Sequence, residues 1–218
     1  MELPAARVAE LDADFAQMAI DAGQHAFALP GLSLREKAFV WMANDVCTGH
    51  LGLPFELHLQ VARDAHASWQ QLREVLRHLA PYAGYPAVVE AFDRLRSIQN
   101  GELDGELDTA EPAIIPTGHP PPAPGGVDAD FADWVAGQED IRWRRGMLTS
   151  RERILLCLAV DIAYQTPRAM RAHLQAGASN GVDAGTLRAL LRLMGELAIG
   201  KVWQANEIFE SEIRHGDE

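Results

Sequence analysis

Apolar residues recur along the chain with the spacing of amphipathic helices. Four of them near the N-terminus are spaced i, i+3, i+4, i+7: Phe15, Met18, Ala19 and Ala22. This spacing predicts a helix with one apolar face on a core. Further helices are predicted over residues 38–46, 55–67, 69–80 and 87–98. Nothing in the sequence alternates as a strand does, so the pattern predicts an all-α fold.

Two of the predicted helices begin with the same capping signal. Ser33 precedes Glu36 by three residues, and Thr149 precedes Glu152 in the same way. In such a capping box, each side chain bonds to the backbone N–H of the other residue. Both pairs therefore predict the first turn of a helix.

The two halves of the chain repeat one another at a spacing of 116 residues. The run Asp-Ala-Asp-Phe-Ala occurs at 12–16 and again at 128–132. Four more residues recur in the same register, Leu32, Arg35, Glu36 and Asp45, as Leu148, Arg151, Glu152 and Asp161. The second half then lacks one residue, and His58 recurs as His173. We therefore expect two copies of one domain, at 1–99 and 127–218, joined by an acidic and proline-rich linker at 100–126.

Composition excludes several classes of partner. The 218 residues carry a formal net charge of -12, which disfavours nucleic acid and anionic membranes because both bind basic surfaces. The sequence has neither an apolar run of membrane-spanning length nor a signal peptide at its start, so we expect a cytoplasmic protein. Its two cysteines, Cys47 and Cys157, occupy non-equivalent positions of the repeat, and we expect reduced thiols.

Three phrases of the first half together resemble the carboxymuconolactone decarboxylase family. They are Phe55-Glu56-Leu57-His58-Leu59, Leu72-Arg73-Glu74-Val75-Leu76 and Tyr82-Ala83-Gly84-Tyr85-Pro86-Ala87. The second half keeps His173 but has Ala198-Ile199-Gly200-Lys201 in place of the tyrosine phrase. The resemblance implies the all-helical fold of AhpD-like proteins, duplicated in tandem, with the active site in the first copy and a structural role for the second. It also implies a homo-oligomer, and we expect a homotrimer, with a homodimer as the alternative.

The family resemblance implies decarboxylation, or a related proton transfer, on a small cyclic carboxylated substrate without a cofactor. Loss of CO2 leaves electrons that must be neutralised by a proton, and histidine transfers protons near neutral pH. His58 is the candidate acid or base, and Glu36 is the candidate that orients it or relays its proton. His50 is a candidate for binding the substrate carboxylate or sharing the proton transfer.

Two other functions and a metal site remain open from the sequence. The AhpD-type peroxidases of the family use a Cys-x-x-Cys pair, to which Cys47 would contribute, but His50 stands at the second cysteine position. Glu36, Cys47, His50 and His58 are also residue types that bind zinc. A non-catalytic binding or scaffold protein is the third possibility. We predict the decarboxylase, with no metal and no cofactor.

Overall fold

The computed structural model describes residues 8–10, 12–102, 118, 120, 121 and 128–216 of the chain. These residues form helices and no strand, which confirms the all-α prediction. The helices are α1 (Ala13–Ala28), α2 (Leu34–Thr48), α3 (Leu53–Asp64), α4 (Trp69–Ala83), α5 (Tyr85–Glu102), α6 (Ala129–Trp143), α7 (Ser150–Tyr164), α8 (Pro167–Gly177) and α9 (Ala184–Gly216). Most of the linker predicted at 100–126 lies outside the described residues.

Helix starts follow the capping signals in the sequence. Ser33 and Glu36 form both hydrogen bonds of a capping box at the start of α2, and Thr149 and Glu152 do so at α7. Because these side chains satisfy backbone N–H groups that have no partner inside the helix, they fix where each helix begins. A third capping box, between Ser68 and Gln71, starts α4.

Helices α2 and α7 form the centre of the fold. They pack against each other, α2 also packs on α3, and α7 also packs on α4, α8 and α9. Their buried residues run almost without interruption, over 37–46 in α2 and 152–163 in α7. A helix that is buried on all sides belongs to the core. The two halves of the chain therefore share one hydrophobic core.

Two ion pairs join α2 to α7 reciprocally. Arg35 Nε lies 2.7 Å from Glu152 Oε1, and Arg151 Nε lies 2.6 Å from Glu36 Oε1. Arg151 and Glu152 are the repeat equivalents of Arg35 and Glu36, so each half gives the other the same contact. Reciprocal contacts of this kind are typical of a two-fold symmetric interface.

The helices of the second half follow those of the first in the same order. Helices α6, α7 and α8 correspond to α1, α2 and α3, and α9 corresponds to α4 and α5 together. Gly84, at φ +97°, separates α4 from α5, and α9 has a non-helical residue at Ala198, the equivalent of Ala83. The order supports the predicted duplication. That the halves are copies of one domain stays a prediction.

The apolar face predicted for α1 does not point into the core. Phe15 is 57% exposed and Met18 is 68% exposed, whereas Ala16 and Ala26 are buried. The reason is that the apolar side of α1 borders an open cavity. Within the described residues, no helix has the length and apolar character needed to cross a membrane.

The reciprocal ion pairs are expected to stabilise the fold. Arg35→Met and Arg151→Met each leave a mostly buried glutamate without its cation, so each should lower the free energy of unfolding by about 1–3 kcal/mol. Arg144→Met is the control, because Arg144 forms an exposed pair with Asp140 and should cost less than about 1 kcal/mol. Urea denaturation measures all three. Equal values for the three variants would contradict the prediction.

Candidate functional site

The first candidate acid or base, His58 on α3, is held by an aspartate of α2. His58 Nδ1 lies 2.6 Å from Asp45 Oδ2. Trp41, one helical turn before Asp45, stacks on the imidazole with ring centres 5.2 Å apart. Burial raises the pKa of Asp45, and its hydrogen bond with His58 opposes that shift. Asp45 therefore fixes the His58 ring and engages only one of its nitrogens.

The second half repeats this pair with His173 on α8 and Asp161 on α7. His173 Nδ1 lies 2.5 Å from Asp161 Oδ2. Cys157, one turn before Asp161, takes the place of Trp41 and interacts with His173. Burial lowers the pKa of His173, but its contacts with Cys157 and with the Asp161 carboxylate outweigh burial, and the pKa is raised. His173 therefore holds its proton more firmly than an unperturbed histidine does.

A cavity of about 970 Å³ lies beside His173, and we call it the His173 cavity. Its walls come from both halves of the chain. The end of α4 contributes Tyr82, α6 contributes Phe131, Trp134, Glu139 and Arg142, and α8 contributes Arg168 and His173. The tyrosine phrase of the first half therefore faces the histidine of the second.

A smaller cavity of about 520 Å³ lies beside His58, and we call it the His58 cavity. Its walls come from the equivalent elements with the halves exchanged: α1, α3 and the middle of α9. Most of the lining is apolar. It includes Phe15, Met18, Ala19, Ala22, Leu57 and Leu197. Among the described residues that line it, Glu196 is the one polar side chain besides His58, and it pairs with His25.

The two cavities occupy equivalent positions of the repeat but differ in charge. At five equivalent positions the His173 cavity has the larger or more polar side chain: Tyr82 for Leu197, Trp134 for Met18, Gln138 for Ala22, Glu139 for Gly23 and Arg142 for Ala26. Only the histidines, His173 and His58, and the phenylalanines, Phe131 and Phe15, are alike among these wall positions. One backbone arrangement therefore encloses two different chemical environments.

Glu139 organises the polar wall of the His173 cavity. Its carboxylate accepts hydrogen bonds from the Tyr82 hydroxyl, from Trp143 Nε1 at 3.1 Å and from Arg142 Nη1 at 2.9 Å. Arg142 also donates to the Tyr85 hydroxyl at 3.1 Å. A buried carboxylate needs such partners because desolvating an unpaired charge costs several kcal/mol. The network holds the aromatic and charged wall groups in fixed positions.

A ladder of polar contacts continues from this wall between α4 and α7. Glu74, His78 and Tyr82 are spaced by four residues and lie on one side of α4. Arg153 Nη2 lies 3.3 Å from Glu74 Oε1, and Cys157 Sγ lies 3.4 Å from His78 Nε2. The equivalents of the α4 residues on α9 are Ala189, Leu193 and Leu197. Among the described residues, this ladder between α4 and α7 therefore has no polar equivalent on α9.

Glu36 lies apart from His58. It is in the first turn of α2, where it caps the helix by accepting from Ser33 N at 2.7 Å and pairs with Arg151. The residue that orients His58 is Asp45, nine residues further along α2. Glu36 therefore has a structural task in this fold, and the relay predicted for it lacks a contact with the histidine.

Cys47 and His50 also lie outside the His58 cavity lining. Burial raises the pKa of Cys47 to about 12, against an opposing contact with Tyr164. His50 is exposed, and its Nδ1 lies 3.0 Å from Thr48 Oγ1. Of the four predicted site residues, only His58 reaches this cavity. No cluster of three or more His, Cys, Asp or Glu side chains that could hold a metal occurs in the described part of the chain.

Comparison with known proteins agrees with this architecture. Residues 13–97 match the carboxymuconolactone decarboxylase family. This segment includes Asp45, His58 and Tyr82. The fold is similar to that of a Burkholderia xenovorans protein, provisionally assigned as a gamma-carboxymuconolactone decarboxylase subunit and solved at 1.70 Å, with a TM-score of 0.55 and 16% sequence identity. The match covers 96% of this chain and 90% of that one. No curated protein matches the sequence significantly.

Sequence reasoning missed most of the wall of the His173 cavity. Asp45 and Asp161 were visible as a repeated pair, but a repeat does not reveal which histidine each aspartate contacts. The four-residue spacing of Glu74, His78 and Tyr82 was a signal for a polar helix face. Glu139 and Arg142 had uncharged counterparts in the first half, Gly23 and Ala26, and that difference was the available signal for a charged cavity wall.

The raised pKa of His173 predicts how the free energy of unfolding depends on pH. A histidine whose pKa is higher in the folded than in the unfolded protein, where it is about 6.5, stabilises the fold below that value. This contribution is lost as the pH rises through the folded pKa. Asp161→Asn removes a partner of the imidazolium, so it should reduce the loss of stability between pH 6.5 and 9, as measured by urea denaturation. The equivalent variant Asp45→Asn is the control, and an unchanged slope in Asp161→Asn would contradict the assignment.

Proposed function

We propose that the protein is a carboxymuconolactone decarboxylase-like enzyme whose active site is the His173 cavity. The reaction is a cofactor-independent decarboxylation, or a related proton transfer, on a small cyclic carboxylated substrate. The observation that carries this proposal is the Asp161–His173 pair beside a cavity that also holds cations and aromatic side chains. The proposal moves the site from His58, expected from the sequence, to its repeat equivalent.

The charges around the His173 cavity favour an anionic ligand. Arg142 is balanced by Glu139, and His173 is balanced by Asp161. Arg168 lines the cavity and has no ion-pair partner among the described residues. Among the described residues of its lining, the cavity therefore carries one unbalanced positive charge in a chain of net charge -12. Arginine suits a carboxylate because its planar fork matches both oxygens.

The volume and walls of the cavity suit a small ring. Its volume of about 970 Å³ is in the usual range for small-molecule sites, roughly 300–1,000 Å³. Tyr82, Tyr85, Phe131 and Trp134 form aromatic walls. Apolar walls reduce the screening of charges by water, which strengthens the interaction of a bound carboxylate with the arginines.

These groups give a direct route for decarboxylation. The arginines hold a carboxylated lactone, and the bond between its ring carbon and the departing carboxylate breaks to release CO2. The electron pair of that bond remains on the substrate as a conjugated enolate. Protonated His173 then gives its proton to carbon, and the neutral imidazole regains a proton from water. Asp161 keeps the ring oriented and stabilises its charged form.

The thiol-peroxidase alternative has less support. A thiolate is the reactive form of cysteine, and burial raises the pKa of both Cys47 and Cys157. Cys157 is fully buried between His78 and His173. The homotrimer inferred from the sequence, with the homodimer as its alternative, stays a proposal, and it is supported by the exposed apolar side chains of Val89, Ile199 and Trp203.

Alanine substitution of the two repeat-equivalent histidines tests the assignment. With carboxymuconolactone as substrate, His173→Ala should lower kcat by about a hundredfold or more, a typical contribution of general acid catalysis. His58→Ala should lower kcat less than about fivefold, because the His58 cavity lacks a cation for the carboxylate. Circular dichroism of both variants checks that they are folded. The opposite order of effects would place the active site at His58. Wild-type activity in both variants would show that neither the Asp161–His173 pair nor the Asp45–His58 pair takes part in the mechanism.

Arg168 should act in binding more than in chemistry. Arg168→Met removes the unbalanced cation while keeping most of the side-chain length, so KM should rise about tenfold, the loss expected for one charge-assisted contact. The value of kcat should change less than about threefold, since the proton donor is intact. Arg171→Met is the control on the same helix, because Arg171 pairs with Glu212 away from the cavity. A fall in kcat without a rise in KM would contradict this role.

A further inference from the structure

The His58 cavity has kept its histidine but lost every charged wall residue that its equivalent carries. Gly23 stands in place of Glu139, Ala26 in place of Arg142, and Leu197 in place of Tyr82. The Asp45–His58 hydrogen bond is nevertheless formed at 2.6 Å, as in the other half. What remains is a largely apolar cavity whose polar side chains, among the described residues, are His58 and Glu196.

From this arrangement we infer that the His58 cavity is a second binding site, for a small neutral molecule with an apolar ring and one hydroxyl group. The inference does not rest on the proposed function. The apolar ring is matched by Phe15, Leu57, Val61 and Trp41, and the hydroxyl by His58. Nδ1 of His58 is engaged by Asp45, and Nε2 has no partner among the described residues. Asp45 therefore leaves one nitrogen of a fixed ring for the ligand.

Charge excludes an anion from this site. The charged groups that face His58 are Asp45 from α2 and Glu196 from α9, and His50 interacts with Asp45 from outside the cavity. Glu196 is engaged by His25 at 2.5 Å. A carboxylate bound here would be buried near two carboxylates without an arginine or lysine in the lining, which is unfavourable. The desolvation penalty for burying a neutral hydroxyl is much smaller, and one hydrogen bond to His58 offsets it.

The volume of the His58 cavity fits a ligand with one ring and a substituent. The volume of about 520 Å³ is within the usual range for small-ligand sites but close to half that of the His173 cavity. Trp41 is among the lining residues and stacks on His58, so an aromatic side chain lies next to the polar group. Small planar molecules bind favourably on such surfaces.

The experiment uses p-cresol and p-toluate, which differ in the group that the site would contact. At pH 7 the phenol is neutral, because its pKa is about 10, and the carboxylic acid is ionised. Isothermal titration calorimetry is done on the full chain carrying Gln138→Trp, which fills the His173 cavity. In this variant p-cresol should bind at least tenfold more tightly than p-toluate. Equal binding of the two, or binding of neither at millimolar concentration, would overturn the inference.

The matched variant Ala22→Trp fills the His58 cavity at the position equivalent to Gln138. It should weaken p-cresol binding at least tenfold relative to Gln138→Trp. His58→Leu should weaken p-cresol binding about fivefold to tenfold, the value of one hydrogen bond. If circular dichroism shows that Ala22→Trp does not fold, Ala19→Phe replaces it. Undiminished p-cresol binding in the filled variant would overturn the site.

Two other results separate the inference from its rivals. The cavity could instead be an interface between copies of the chain. Sedimentation would then show self-association that Ala22→Trp removes, and p-cresol would not bind. That result would overturn the ligand site. Loss of decarboxylation in His173→Ala with p-cresol binding intact would support both assignments separately. Absence of decarboxylase activity would leave the p-cresol result unaffected. Failure of the proposed function is therefore distinguishable from failure of the second binding site.

Discussion

The packing of α2 against α7 is the constraint on which the rest of the structure depends. Each helix begins with a capping glutamate that also binds an arginine of the other helix. Each then carries, nine residues after that glutamate, the aspartate that orients a histidine. Any change in how the two helices meet would move both aspartates and the walls they support. The buried positions of these helices are therefore constrained by two sites as well as by the core.

Polarity then distinguishes the two sides of this shared centre. On one side, α4 presents Glu74, His78 and Tyr82 to α7, and each has a hydrogen-bond partner. On the other side, α9 presents alanine and leucine at the equivalent positions. A satisfied polar network is rigid, and a partly satisfied one is costly, so such networks are retained as complete units. The His173 cavity depends on its whole network, whereas the His58 cavity depends on one pair.

Local signals in the sequence were sufficient for the helices and insufficient for the sites. Capping boxes such as Ser33 with Glu36 are formed within four residues, so their geometry follows from the sequence alone. The cavities join residues from opposite halves, such as Tyr82 and His173, and no local pattern encodes that contact. The contact of Glu36 with Arg151 is equally hidden from local patterns, because the two residues are 115 positions apart. Phe15 and Met18 have core-like spacing, but α1 turns them toward a cavity.

Placing both cavities in one polypeptide also changes what mutation can do. In an assembly of two identical subunits, a substitution in one wall appears in both sites at once, because a single gene specifies each. Here Arg142 and Ala26 are encoded separately, although they occupy equivalent places in the repeat. Each cavity can therefore acquire its own ligand preference while the common scaffold is preserved, a freedom that a symmetric dimer does not have.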